Sequence, residues 1–218
     1  MYHRAHRFAI VVIIAAFSAS VWAAPPAAKA PGKARMRRGA FAGPNRPEPL
    51  FRRADAALTK GDRKTAATLL GKAATALRVS AGRFPKEDKA AVSSAAADIS
   101  KLAKDIAKVQ SKQMRLAFAR ADLALGRHSH RAATQAWAKK QAVAAGMQLI
   151  GATMQVEHAS FWLAHKKTSK QVADNKNARM VGQKLARRTK VNSAEVDKAL
   201  KLIGSELQAL SGMIKRAK

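Results

Sequence analysis

The stretch from Ala133 to His165 constrains the fold of this chain more than any other part of the sequence. Wound at 3.6 residues per turn, it is apolar on two opposite sides. One side carries small and medium residues: Ala138, Ala142, Ala145, Leu149, Ala152, Val156, Ala159 and Leu163. The other carries mostly larger residues: Ala136, Val143, Met147, Ile150, Met154, Phe161 and Trp162. A surface helix needs only one apolar stripe, so we expect this helix to be sandwiched between neighbouring helices.

The rest of the chain shows the same alanine-rich, helix-favouring periodicity. Aromatic residues make up only 5% of the 218 residues, which indicates a thin helical core. We therefore predict an all-α fold, an antiparallel helical bundle or helix-hairpin array, in one domain over residues 50–216. Glycine, proline and capping residues place its breaks, including one at Gly126. The predicted helices span about 50–60, 62–81, 85–125, 129–139, 141–166, 169–190 and 193–215.

The first 49 residues precede this domain and have a different composition. Residues 1–23 have the pattern of a secretory signal peptide, with a basic start, an apolar run from Phe8 to Trp22 and a small residue before the expected cleavage after Ala23. The alternative is an uncleaved anchor, although the run is shorter than the roughly 20 residues that a span needs. Residues 24–49 predict a disordered, basic, proline-rich linker, either a spacer or a polyanion-binding tail. We expect an exported protein, periplasmic or extracellular, of bacterial type.

The net charge is +29, from 42 lysines and arginines against 13 aspartates and glutamates. A field of this size attracts polyanions. The densest basic run is offset only by Asp174, and we predict that it binds anions: Lys166, Lys167, Lys170, Lys176, Arg179, Lys184, Arg187, Arg188 and Lys190. The alternative is a solvated charged face. The run lacks interleaved aromatic residues, so anionic lipid, polysaccharide or acidic protein is a better partner than nucleic acid.

Four histidines outside the signal segment are the only candidate metal ligands: His128, His130, His158 and His165. A metal site would require the two pairs to meet in space beside a carboxylate such as Glu157. A haem would instead be held by His158 or His165 together with Met147 or Met154. Histidines in helix interfaces and caps are commoner, so we predict no metal and no cofactor. The chain has no cysteine, and it contains neither a nucleophile elbow nor a glycine-rich phosphate loop. We therefore predict that it is not an enzyme.

Glutamines recur every seven residues between the two apolar sides of the opening stretch, at Gln141, Gln148 and Gln155. We interpret them by default as a solvated edge. The alternative is a hydrogen-bonding stripe along one helix seam.

An internal repeat relates two parts of the domain. Aligning Ala54 with Ala133 superimposes residues 54–77 on 133–156, with matched alanines, lysines and leucines. The Gly61-Asp62 turn in the first copy predicts a turn near Lys139-Lys140 in the second. These two patches resemble the helix pair of tetratricopeptide repeats, although they lie 79 residues apart instead of 34. The resemblance implies a helix-hairpin protein of the kind that often binds other proteins.

Together these features predict an exported, non-enzymatic, basic helical protein that binds anionic macromolecules or proteins in the cell envelope. Two alternatives remain open. One is a periplasmic stress chaperone, and the other is a carrier that holds a metal or haem through its histidines.

Overall fold

The computed structural model describes residues 47–216, and within them it contains no strand, which confirms the all-α prediction. The predicted signal peptide, and the linker up to residue 46, lie outside the described residues. A 3-10 turn at Ile106–Lys108 separates the third and fourth of seven α-helices. The helices are α1 Pro47–Thr59, α2 Arg63–Ala81, α3 Lys86–Lys104, α4 Ser111–Ala138, α5 Ala142–Trp162, α6 Ser169–Ala186 and α7 Ser193–Arg216.

Helix α4 occupies the middle of the fold and packs against α1, α3, α5 and α7. Helix α5, from the doubly apolar stretch, packs against α4, α6 and α7, so it is sandwiched as its sequence predicts. Its small-residue side is fully buried at Leu149, Ala152 and Val156. Its large-residue side is only partly covered, because Met147 is 36% and Phe161 59% exposed.

An aromatic cluster joins α1, α4 and α5. The Phe51 and Phe118 rings stack at 4.3 Å, and the Trp162 ring meets Phe118 edge-on at 5.0 Å. All three side chains are buried. Aromatic pairs of this kind contribute about 1 kcal/mol each beyond the area that they bury. The cluster therefore holds α1 against the pair of helices α4 and α5.

The predicted break at Gly126, which divided helices 85–125 and 129–139, is wrong. Helix α4 runs unbroken through Gly126, and the break lies earlier, between Asp105 and Gln110. A Cβ at Gly126 would lie 2.8 Å from a Leu207 methyl and 3.1 Å from the Gln155 Cβ. This glycine allows α4 to approach α5 and α7 closely, which is a packing role and not a helix-ending one.

Other helix ends also differ from the prediction. Helix α1 begins at Pro47, so residues 47–49 belong to the helix and not to the linker, because proline is tolerated in a first helical turn. Helices α5 and α6 end at Trp162 and Ala186, short of the predicted 166 and 190. Each of these helices ends in a hydrogen-bonded turn whose left-handed residue is Ala164 or Arg188 and not glycine, so no glycine in the sequence marks the end.

The α1–α2 and α4–α5 turns close in the same way, at positions 79 residues apart. In the first, the Asp62 N–H donates to the Ala57 carbonyl at 2.9 Å, with Gly61 at φ +79°. In the second, the Gln141 N–H donates to the Ala136 carbonyl at 2.8 Å, with Lys140 at φ +57°. This is the Schellman closure of a helix C-terminus. The turn in the second copy thus falls where the repeat predicts it.

Helices α5 and α6 cross with their backbones in contact. A Cβ at Gly146 would lie 2.5 Å from the Gly182 carbonyl oxygen and 2.6 Å from the Ala186 nitrogen. Backbone atoms cannot swing aside as a side chain can, so only glycine fits at this position.

We predict that Gly146→Ala lowers the free energy of unfolding by about 2 kcal/mol, because overpacking outweighs the gain in helix propensity. Urea unfolding measures the change. Gly71→Ala is the matched control, since Gly71 lies within α2 with nothing inside 4 Å of its added Cβ. That variant should be stabilised by up to about 1 kcal/mol. Equal stability for Gly146→Ala and the wild type would contradict the crossing.

Candidate anion-binding site at one end of the fold

Two turns meet at one end of the fold, the α4–α5 turn and the α6–α7 turn. The Trp137 indole N–H in the last turn of α4 donates to Asp197 Oδ1 in the first turn of α7 at 3.0 Å. The first turns of α5 contact the last turn of α6 at Gly146 and Ala186. We call the cations of these two turns the basic end: Lys139, Lys140, Arg187, Arg188 and Lys190.

All five side chains of the basic end are exposed, and none forms an ion pair within residues 47–216. Most carboxylates are engaged elsewhere, because eight of the 13 bond to a side chain outside their own helix. The acids nearest in sequence are Glu195 and Asp197, and the hydrogen bond from the neutral Trp137 indole leaves Asp197 charged, so two acids face five cations. The basic end therefore carries uncompensated positive charge.

Two of these cations have a left-handed backbone. Lys140 has φ +57° and Arg188 has φ +59°, at the position after the helix end that glycine usually occupies. A side chain there costs about 1 kcal/mol. A cation near a helix C-terminus is favourable by itself, but any position in the last turn gives that benefit. The dipole therefore does not explain why a lysine and an arginine replace glycine.

The side chains, and not the backbone, must bind any anion at these turns. The Lys140 and Gln141 N–H groups donate to Trp137 and Ala136, and the equivalent groups of the second turn donate within α6. The backbone donors that a turn of this shape offers to anions elsewhere are therefore occupied.

The structure divides the predicted basic run into two sets. Three of its members form ion pairs: Lys167 with Glu206 at 3.3 Å, Lys170 with Asp174 at 2.5 Å, and Arg179 with Glu157. The others are exposed and, within the described residues, unpaired: Lys166, Lys176, Lys184, Arg187, Arg188 and Lys190. Sequence reasoning missed Lys139 and Lys140, which lie 47 or more residues before Arg187 and join it only through the fold. The repeat was the signal, since it predicts their turn.

The four candidate histidines have separate surroundings. His128 Nδ1 lies 2.8 Å from Asp88 Oδ2, and its ring stacks on Phe84 at 3.7 Å. His130 Nε2 lies 2.8 Å from the Leu200 carbonyl oxygen. His158 Nε2 lies 2.6 Å from Glu48 Oε1 on α1, and His165 lies half-buried after α5. Residues 47–216 contain no group of three or more histidines and carboxylates that could hold a metal ion.

A buried carboxylate that the sequence did not reveal lies under α1. Asp122 on α4 is fully buried, and neither oxygen has a hydrogen-bond partner within the described residues. Burial raises the pKa of Asp122 well above its usual value, and the charge of Glu48 raises it further. The Trp162 indole N–H and the Arg52 charge act in the opposite direction, although the indole does not reach hydrogen-bond geometry. Its burial could have been inferred from its position, four residues after Phe118 on the same face of α4.

Glu48 beside it behaves in the opposite way. Burial alone would raise the pKa of Glu48, but the hydrogen bond and charge of His158, together with Arg52, lower it. The lowered pKa favours the ionised form of Glu48, which links α1 to α5 through His158. The raised pKa of Asp122 favours its protonated form.

The default interpretation of the glutamine series is wrong at Gln155. Its side chain is only 6% exposed and lies in the α4–α5 seam, opposite Gly126. The Gln148 Oε1 is also buried, whereas Gln141 is exposed at the start of α5. Because Gly126 has no side chain, the Gln155 side chain fits into the seam between α4 and α5 instead of facing solvent.

Comparison with protein-family models, curated proteins and solved structures finds no match for this chain. Among helices within residues 47–216, none is both long and apolar enough to cross a membrane.

We predict that Asp122→Asn removes a pH dependence of stability. Because the pKa of Asp122 is raised in the folded state, folding takes up a proton between the unfolded and folded pKa values. The contribution of Asp122 to stability is therefore greatest below about pH 4 and falls by about 1.4 kcal/mol for each pH unit in that interval. Urea unfolding from pH 4 to 8 should show the variant gaining over the wild type as pH rises. Asp98→Asn, at an exposed carboxylate, is the control, and parallel curves for all three proteins would contradict the prediction.

We predict that Lys140→Gly and Arg188→Gly each raise the free energy of unfolding by about 0.5–1 kcal/mol, because glycine relieves the left-handed strain. Ala164→Gly should give a similar gain, since Ala164 has φ +50° in an equivalent closure at the far end of α5. Thermal or urea unfolding measures all three. A loss of stability in the first two variants would show that their side chains stabilise the turns.

Proposed function

We propose that this chain is an exported, non-enzymatic antiparallel helical bundle that binds polyanions of the cell envelope through its basic end. One observation carries the proposal. Lys140 and Arg188 occupy left-handed positions where glycine would be more stable, in two turns that meet at the same end. Ala164 has the same conformation at the far end of α5 without a charge, so what sets Lys140 and Arg188 apart is that both are cations at one end of the fold.

The charge distribution supports binding by this end. The described residues hold 33 lysines and arginines against 13 carboxylates, and the carboxylates mostly bridge helices. The far ends of α5 and α7 keep their acids Glu157 and Glu206 in ion pairs. An extended polyanion therefore meets the highest unpaired charge at the basic end. Adjacent Arg187 and Arg188 add forked donors that match phosphate, sulfate and carboxylate oxygens.

The other predicted functions have less support. A chaperone would need a continuous apolar surface, but the large exposed apolar residues of residues 47–216 are distributed over α2, α5 and α6. A carrier would need its histidines together, and each has different neighbours. The tetratricopeptide resemblance stays a prediction, and the shared closure at Gly61 and Lys140 supports only the duplicated hairpin.

Binding to dextran sulfate tests the proposal. We expect the mature protein to bind this soluble polyanion with an affinity that falls steeply as salt rises. Arg187→Gln with Arg188→Gln should weaken binding about tenfold and make the salt dependence shallower. Titration calorimetry over a range of salt concentrations measures both.

The matched control removes the same charge elsewhere. Lys72→Gln with Lys112→Gln changes two exposed lysines away from the basic end and should weaken binding less than threefold. Equal losses in the two double variants would show that only total charge matters. Wild-type binding no tighter than that of an unfolded peptide of equal charge would overturn the proposal.

A further inference from the structure

A groove runs between α6 and α7 next to the basic end. Its cavity has a volume of about 280 Å³. Its apolar lining comes from both helices: Ala178, Met180 and Val181 on α6, and Ala199 and Leu202 on α7. Met180 is 43% exposed, whereas Ala178, Val181 and Ala199 are buried. A flexible methionine over a floor of small residues is an adaptable apolar surface.

The charged residues of the groove lie at its two ends. Lys184 on α6, with Glu195 and Lys198 on α7, lies toward the basic end, because α6 ends and α7 begins there. Asp174 lies at the opposite end and is paired with Lys170. Glu195 is the acid that lines the groove at this end, Asp197 directly precedes Lys198, and Arg187, Arg188 and Lys190 follow Lys184 along the chain. The middle of the groove thus holds its apolar residues together with Asn177, and the end near the α6–α7 turn holds two lysines and one acid.

The dimensions of the groove select the kind of occupant. Its lining on α6 runs from Asp174 to Lys184, a length of about 15 Å at 1.5 Å per residue. An α-helix with side chains is about 10–12 Å wide. A single extended hydrocarbon chain needs far less width. Small-ligand sites between helices commonly have this form, apolar with a few polar groups at one side.

We propose that this groove binds the acyl chain of a single-chain anionic amphiphile, with the head group held at Lys184 and Lys198. The inference rests on the proposed function and deepens it, since it names an anionic amphiphile as one class of anion that this end of the fold binds, next to the basic end. The apolar chain contacts Met180 and Leu202, and the charged head group replaces water around the two lysines. Soluble polyanions would bind the basic end without entering the groove.

Titration with dodecanoate below its micelle concentration tests the apolar contact. Met180→Gln with Leu202→Gln should weaken dodecanoate binding about tenfold, because both side chains border the cavity. Met147→Gln is the matched control, an exposed methionine on α5 that does not line the groove, and should change binding less than twofold. Circular dichroism and urea unfolding check that each variant folds.

A second probe tests the head group. A dodecyl chain on an uncharged sugar should bind about tenfold more weakly than dodecanoate, and Lys184→Gln with Lys198→Gln should abolish the difference. The inference is overturned if dodecanoate does not bind, or if the Met180/Leu202 double variant binds it as well as the Met147 control does. Dextran sulfate affinity is measured on the same proteins, and unchanged affinity in the Met180/Leu202 variant separates a failure of the groove from a failure of the basic end.

Discussion

The shortage of carboxylates governs how this fold holds together. Thirty-three cations repel one another across residues 47–216, and only 13 acids are available to offset them. Eight of those acids bridge to another segment of the fold, as Asp55 does to Arg115 and Glu157 does to Arg179. Most of these eight acids both pair with a basic side chain and join two elements, while Asp197 accepts from the neutral Trp137 indole. The remaining positive charge lies on exposed side chains of helices and turns, where solvent and salt screen the repulsion.

The sequence predicted the features that depend on local periodicity. Apolar spacing indicated helices throughout, the two-sided stripe indicated that α5 is sandwiched between other helices, and the repeat indicated the turn at Lys140. The ends of helices that lack a terminal glycine were misplaced. After Trp162 and Ala186 the left-handed position is occupied by Ala164 and Arg188, residue types that do not indicate a helix end. Gly126 was misinterpreted for the opposite reason, since its purpose is contact with Leu207, 81 residues away.

The candidate site was only half visible in the sequence. A charge run reveals Arg187, Arg188 and Lys190, but their association with Lys139 and Lys140 requires the Trp137–Asp197 contact between α4 and α7. Asp122 was hidden for a related reason. Its burial depends on the docking of α1, which the Phe51–Phe118 stack holds in place from another part of the chain. Contacts between distant segments decide both, and no local pattern specifies them.

The two tryptophans of the described region lie in different parts of the molecule and can serve as fluorescent reporters of each. Trp137 donates its indole N–H at the basic end, and Trp162 lies in the aromatic cluster beside Asp122. Indole emission is sensitive to hydrogen bonding and to nearby charge, and the two rings have different surroundings: one half-exposed, one buried. The protein therefore contains one intrinsic fluorophore at the basic end and another beside Asp122, so events at its surface and in its core can be followed without any label.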